Sequence, residues 1–274
     1  MQALSHLWQP PTGFLGRILE EAQARVASLS LRSNELRDAA STATPAIPIV
    51  TALRQAHVAI IAEVKRRSPS RGDINPTLSA EARALGYAAG GAAAVSVLTE
   101  PTHFGGSTDD LRAVARALAT PVLRKDFIVD EIQITEARAA GAAAVLLIAR
   151  GLPPRQLSIL LKSARYWGME ALVEVRTEDE LEHAVNSGAA LIGVNNRDLE
   201  TLEMDLHTGR RLLPLIPSDL IAVSESGIIS AEDVQRAADS GADAVLVGSS
   251  LSATTDPASA VAALTGVPRR RRGN

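Results

Sequence analysis

Eight short apolar runs, each followed by a stretch of helical periodicity, set the terms for what this chain can fold into. They are Val58–Val64, Ala92–Leu98, Pro121–Leu123, Ala142–Ile148, Ala171–Val175, Leu191–Val194, Leu220–Val223 and Ala244–Val247. Most are nearly continuous in Val, Ile, Leu and Ala, the pattern of strands buried on both faces of a parallel sheet. Gly91, Gly141, Gly188 and Gly241 stand just before four of the runs, where the preceding helices should end. Strand and helix alternating eight times over about 200 residues predicts an α/β fold of the (β/α)8 TIM-barrel class. The alternative is an open doubly wound sheet. That fold has fewer strands and a glycine-rich first turn, and no G-x-G-x-x-G follows the first run here.

Upstream, residues 14–38 carry Leu15, Ile18, Leu19, Ala22, Val26 and Leu29 at helical spacing, which predicts one amphipathic helix. A Pro- and Thr-rich linker, STATPAIP, follows it. The chain therefore divides into an N-terminal helical extension (1–48), a barrel catalytic domain (49–266) and a basic tail (267–274). The tail contains Arg269 to Arg272 and reads as a frayed, solvated, disordered end. A net charge of −3 gives no global field for nucleic acid or a membrane surface. No run of about 18 apolar residues exists to span a bilayer, and the start MQALSHLWQP is not that of a secretory leader. With no cysteine there is no disulfide, thiolate metal site or cysteine nucleophile, which fits a reducing cytoplasm. The five histidines have no paired ligand spacing, so no metal is expected.

In a barrel, chemistry gathers at the C-terminal ends of the strands. The first run ends in Glu63-Val64-Lys65, whose alternation points Glu63 and Lys65 the same way. The third ends in Arg124-Lys125-Asp126, and the fifth carries Glu174. The sixth leads into Asn195-Asn196-Arg197, the seventh into Glu225-Ser226-Gly227 and the eighth into Gly248-Ser249-Ser250. Three carboxylates (Glu63, Glu174, Glu225) and three cations (Lys65, Lys125, Arg197) thus converge on one end. Structural ion pairs closing the barrel top would account for any single pair, but not readily for six charges on five strands. Ser226-Gly227 and Gly248-Ser249 offer backbone N–H groups to a phosphate, with Ser249-Ser250-Leu251 as the start of a short extra helix. The segment Ser68 to Asp73, with Pro and Gly, reads as a loop able to act as a mobile lid.

The stretch IIAEVKRRSPS (60–70) resembles the first-strand signature of the indole-3-glycerol phosphate synthase family. So do VSVLTE (95–100) with Phe104 and Gly106-Ser107, PVLRKDFIVD (121–130), VLLIA (145–149), LVEV (172–175), IGVNNRDL (192–199), VSESGI (223–228) and VLVGSSL (245–251). The match runs from about residue 14 to 265 in order and spacing. Where the family more often has a Met and a charged residue after the eighth strand, this chain reads LSATTDP.

The resemblance implies that a pentulose phosphate carrying anthranilate on nitrogen is closed to an indole, losing carbon dioxide and water without a cofactor. It implies that Lys125 is the general acid, its pKa expected to be lowered by burial or neighbouring cations, and that Glu174 transfers protons in the dehydration. Lys65 contacts the substrate carboxylate or takes part in proton transfer. Glu63 and Glu225 orient the lysines and sugar hydroxyls, Asn195 hydrogen-bonds the reacting region, and Arg197 faces the anionic groups. Phosphate falls to Ser226, Gly227, Gly248 and Ser249. Ser68 joins the substrate contacts, and Phe104, Phe127, Leu146 and Leu199 supply an apolar slot, although each of these four also fits ordinary core packing.

Three rivals stand beside this reading. A phosphoribosylanthranilate isomerase would need its usual cysteine base, which the chain lacks. A tryptophan synthase α subunit shares the barrel but needs its acids in other surroundings. A non-catalytic phosphosugar-binding barrel would be expected to lose Lys125, Glu174 or Lys65, and an enzyme acting on a modified anthranilate would keep them. The partner expected is a small phosphorylated substrate, on a monomer or weak homodimer.

Overall fold

The computed structural model describes residues 8–45, 47–70 and 72–273. Eight parallel strands close into a barrel: β1 (Ala59–Val64), β2 (Ala94–Leu98), β3 (Val122–Lys125), β4 (Ala144–Ile148), β5 (Glu170–Val175), β6 (Leu191–Asn195), β7 (Ile221–Glu225) and β8 (Ala244–Val247). Every apolar run of the sequence overlaps one strand, and β3, β5, β6 and β7 extend past theirs by one or two residues. β8 returns to β1, with Ala59 beside Ala244 and Ala62 beside Val247, so no edge is left open.

Alternation along each strand sorts the side chains into two cores. Ile60, Ala62 and Val64 point outward into a shell shared with the surrounding helices, together with Val95, Val122, Val145, Val173 and Ile192. Ala59 and Ile61 point inward, as do Leu123, Leu146, Leu172, Leu191, Ile221, Val223 and Leu246. The same parity carries the inward rows on to Glu63, Lys125, Glu174, Asn195 and Glu225 as the strands end. The barrel is apolar where its strands begin and charged where they finish.

The outer helices α4 (Ala80–Ala89), α5 (Thr108–Ala117), α6 (Glu131–Ala139), α7 (Pro154–Tyr166), α8 (Glu178–Asn186), α9 (His207–Leu212) and α10 (Ala231–Asp239) lie between the strands in sequence. Gly91, Gly141, Gly188 and Gly241 all take positive φ just past a helix, as expected of helix-ending residues.

The N-terminal segment differs from the single helix expected over 14–38. It forms α1 (Gly13–Ser30) and α2 (Ser33–Thr42), separated by a turn in which Leu31 is fully solvated. The turn re-aims the chain. α1 presents Phe14, Leu15, Ile18 and Ala22 to the inner core beside the strand ends, while α2 buries Leu36 and Ala40 and packs on α6. A short α3 (Ile49–Leu53) then adds Ile49 and Leu53 to the inner core just before β1 begins. Residues 1–7 of the expected extension lie outside the described residues.

The basic tail is also unlike the frayed end expected. After α11 (Ser249–Ala253) and α12 (Pro257–Ala262), the chain returns to the start of β1, where Arg269 N–H donates to the Ala56 carbonyl. The side chain of Arg272 is only 3% exposed and sits 2.8 Å from the Asp243 carboxylate, whose other oxygen faces Arg269 at 3.2 Å. Arg272 also donates to the carbonyls of Ile216, Leu220 and Gly241. A guanidinium supplies five donors in a rigid fork, and the carbonyls that precede β7 and β8 would otherwise need water. Asn274 of that tail and Arg71 of the expected lid lie outside the described residues.

Candidate active site

The charged ends of the inward rows open into a cavity of about 570 Å³. All sixteen residues singled out from the sequence line it: Glu63, Lys65, Ser68, Phe104, Lys125, Phe127, Leu146, Glu174, Asn195, Arg197, Leu199, Glu225, Ser226, Gly227, Gly248 and Ser249.

At its floor Lys125 lies between two carboxylates, its Nζ 3.3 Å from Glu174 and 3.4 Å from Glu225. Asn195 donates its amide to the other Glu174 oxygen at 2.9 Å and accepts the Arg197 N–H with its own carbonyl, so Glu174 is held from two sides. Lys65 pairs with Glu63 at 2.9 Å, the same-side placement that alternation requires. Arg197 donates to the Leu202 carbonyl at 2.7 Å.

The expectation that the Lys125 pKa is lowered does not hold. Burial does work against its charge, but the Glu225, Glu174 and Glu63 carboxylates outweigh burial and hold the ammonium above its ordinary value. The strain falls instead on Glu225. Burial pushes its carboxyl up from 4.5 to about 8, with the Glu174 and Glu63 charges adding to the push and Lys125 resisting it. One Glu225 oxygen also has no hydrogen-bond partner, which leaves a negative charge there poorly solvated. Three carboxylates against two lysines leave one surplus negative charge; a proton on Glu225 removes it and leaves the Glu174 and Glu63 charges to hold the Lys125 ammonium.

Two glycines make this packing possible. A Cβ at Gly193 would fall on the unpartnered Glu225 oxygen, and one at Gly248 would fall on the Glu63 carboxylate, 2.9 Å from Lys65 Nζ. Across the cavity, Ser226 and Gly227 hold φ of 66° and 86°. For a serine this left-handed geometry costs roughly 1–2 kcal/mol, and it turns the chain sharply at the end of β7. α11 begins at Ser249, directly after Gly248 at the end of β8.

An apolar slot occupies the opposite side. Phe104 and Phe127 stack at a tilt with ring centres 6.1 Å apart, and Leu146 and Leu199 stand among the same lining residues. Ser68 closes one edge. It is buried with its hydroxyl lacking a partner, and it pairs with Gly72 in a short antiparallel ribbon after β1. The Arg66 guanidinium anchors that ribbon at its root by gripping Asp110 through two hydrogen bonds of 2.5 and 2.8 Å.

Sequence reasoning missed other apolar lining residues. Leu98, Ile148 and Leu246 share the inward parity of the charged rows and were open to discovery by that rule. Phe14 comes from α1 and Leu202, Met204 and Ile229 from loops, and nothing in local periodicity marks them. Histidine spacing also hid one convergence, for the fold brings Glu21, Glu100 and His103 together. Their donors are already engaged. Glu100 accepts three backbone N–H groups, from Thr102, His103 and Phe104, and Arg25 lies 3.7 Å away.

The family model for indole-3-glycerol phosphate synthase matches residues 15–264. The indole-3-glycerol phosphate synthase of Nocardioides sp. is 51% identical over 233 residues, covering 85% of this chain and 90% of that relative. That of Mycolicibacterium smegmatis is 48% identical over 244 residues, covering 89% of each. Among solved structures, a mutant tryptophan synthase alpha-subunit from Pyrococcus furiosus aligns with a TM-score of 0.59 at 18% identity, over 75% of this chain and 97% of that one. At that identity the likeness is one of fold alone.

Proposed function

The chain belongs to the indole-3-glycerol phosphate synthase family, and from that membership we infer how its residues divide the work of the ring closure. The reaction converts 1-(2-carboxyphenylamino)-1-deoxyribulose 5-phosphate to indole-3-glycerol phosphate, a carboxy-lyase step of tryptophan biosynthesis. The placement of Lys125 between Glu174 and Glu225 on the cavity floor carries the assignment of roles.

The substrate phosphate binds the backbone N–H groups of Ser226, Gly227, Gly248 and Ser249. This sets the sugar over the charged floor and the anthranilate ring in the slot of Phe104, Phe127, Leu146 and Leu199. Ser68 contacts the substrate from the ribbon edge, and Arg197 and Lys65 face its carboxylate.

As the ring carbon attacks the ketone, negative charge builds on the ketone oxygen, and the Lys125 ammonium donates its proton there. A raised pKa does not forbid this, because an alkoxide is a stronger base than an amine. It also ensures that Lys125 is protonated when substrate arrives. Carbon dioxide then leaves with its bonding electrons returned to the ring. Glu174, fixed by Asn195, takes the proton from the sugar carbon, and the new hydroxyl leaves as water on a second proton delivered by Lys125 once it has been recharged from solvent. Glu63 and Glu225 orient the two lysines. The atoms balance without an oxidant or reductant, and one proton is consumed per turnover because the carboxylate leaves as neutral carbon dioxide.

A monomer or weak homodimer in the cytoplasm suits a barrel that buries its own core, and light scattering on the purified chain tests the first part. No described helix is long and apolar enough to cross a membrane. The roles are tested by the fluorescence of indole formation in wild type and Lys125→Ala. A loss of at least roughly 10²-fold in kcat, within the general-acid range, is expected. A Lys125→Ala variant that turns over at the wild-type rate would remove Lys125 from the mechanism.

A further inference from the structure

A second cavity, of about 240 Å³, adjoins the first and shares Glu174, Asn195, Arg197, Leu199 and Ile148 with it. The rest of its wall is mostly charged: Arg150, Arg176, Glu180, Asp198 and Glu200. At roughly 30 Å³ per water it has room for several molecules, and its lining offers them partners. The Nε of Arg176 is buried without a protein partner.

The charges around it are sorted unevenly. Arg150 pairs with Glu200 at 3.2 Å and Arg176 with Asp198 at 3.1 Å. Glu180 is half-buried and has no salt-bridge partner among the described residues. One of its oxygens accepts the Arg176 backbone N–H at 2.7 Å. Burial and the nearby Glu174 charge hold its carboxyl above the ordinary value, against the Arg176 and Thr177 N–H groups and the Arg150 charge that favour ionisation.

The chemistry needs such a group. Lys125 gives up a proton to the ketone oxygen, another is needed for the departing hydroxyl, and only one comes back from the sugar carbon. The Lys125–Glu174 pair therefore draws one proton from solvent in each turnover. Substrate fills the main cavity while that proton is needed. The side cavity reaches Glu174 by a different wall.

We propose that the side cavity is a water-filled proton conduit, and that Glu180 relays protons through it from solvent to Glu174. Glu180 touches no reacting atom and acts through Glu174, so the inference rests on the role assigned to Glu174 above. An ordinary helix cap would also explain a glutamate here, since Glu180 stands at the start of α8 behind Thr177. The test has to separate the two.

Glu180→Gln keeps an acceptor for the Arg176 N–H but carries no exchangeable acid proton. At low buffer concentration its kcat is expected to fall about tenfold with KM unchanged. Imidazole or acetate should restore the rate in proportion to the concentration of its acid form. Wild type should not respond to either. A Glu180→Gln enzyme with wild-type kcat in dilute buffer would overturn the relay, and so would a deficit that no small acid rescues, which is the mark of a structural cap. Glu174→Gln measured alongside keeps the two readings apart. If it retains full turnover, the assignment of Glu174 fails. If it is inactive while Glu180→Gln is untouched, only the relay fails.

Discussion

Replacing Glu225 by glutamine should make the protein more stable, and increasingly so as the pH rises. Glu225 is ionised in the unfolded chain above its ordinary value of 4.5 but holds its proton in the folded chain up to about 8. Below 4.5 both states carry the proton, and its contribution to stability is fully present. Between the two values the unfolded state releases the proton and the folded state keeps it, so stability is lost as pH rises, at about 1.4 kcal/mol per unit. Glutamine has the shape of the protonated acid and no such slope. From pH 5.5 to 7.5 the difference between variant and wild type should therefore grow by roughly 2–3 kcal/mol. Other titrating groups act alike in both proteins and largely cancel.

For chains of 150–250 residues each kcal/mol moves Tm by roughly 2–4 °C. The gap in Tm should widen by roughly 4–12 °C across that window, within the reach of differential scanning fluorimetry. Parallel Tm profiles for the two proteins would refute the reasoning, because they would mean that the folded enzyme holds Glu225 ionised throughout. The surplus negative charge would then have to be absorbed elsewhere in the cluster.

Gly193→Ala places a methyl group on the Glu225 carboxylate and 3.1 Å from a Leu172 methyl. Overpacking of this kind costs about 1–3 kcal/mol. Displacing Glu225 from Lys125 should also lower kcat by roughly 10²-fold, so a variant with wild-type turnover would show that the Glu225 position is not critical. Arg272→Ala removes the buried clamp on Asp243 while leaving Arg269 beside it. Chemical denaturation should show a loss of about 1–3 kcal/mol, below the full penalty for breaking a buried pair, with kcat unchanged because the clamp lies where the strands begin. A drop in kcat at full saturation would contradict that separation.

The barrel was legible because eight buried strands leave eight apolar runs, and the charged face was legible because parity carries an inward row from Ile61 to Glu63 and from Leu123 to Lys125. The break between α1 and α2 was not. Leu29 continues the apolar spacing almost to the turn, and only tertiary packing on α6 decides where α2 goes. Arg269 to Arg272 read as a solvated tail because four adjacent arginines usually are. Their partners, Asp243 and the carbonyls of Ile216 and Leu220, lie far away in sequence and become a guanidinium site only when β7 and β8 stand side by side. The sign of the Lys125 shift failed for a similar reason. Burial was foreseeable from the strand, but the shift depends on three carboxylates that reach the lysine from β1, β5 and β7.

That crowding also explains why the site is built on small residues. Under the role proposed for it, a lysine that arrives protonated and surrenders its proton later needs carboxylates around it, and each added carboxylate strains the next. Gly193 lets Glu225 retreat against β6, and Gly248 does the same for Glu63 at the end of β8. Side chains at those positions would force the carboxylates apart and weaken their hold on the lysines. With both glycines the three acids stay close enough that one keeps its proton, and the charge on the floor matches the two lysines.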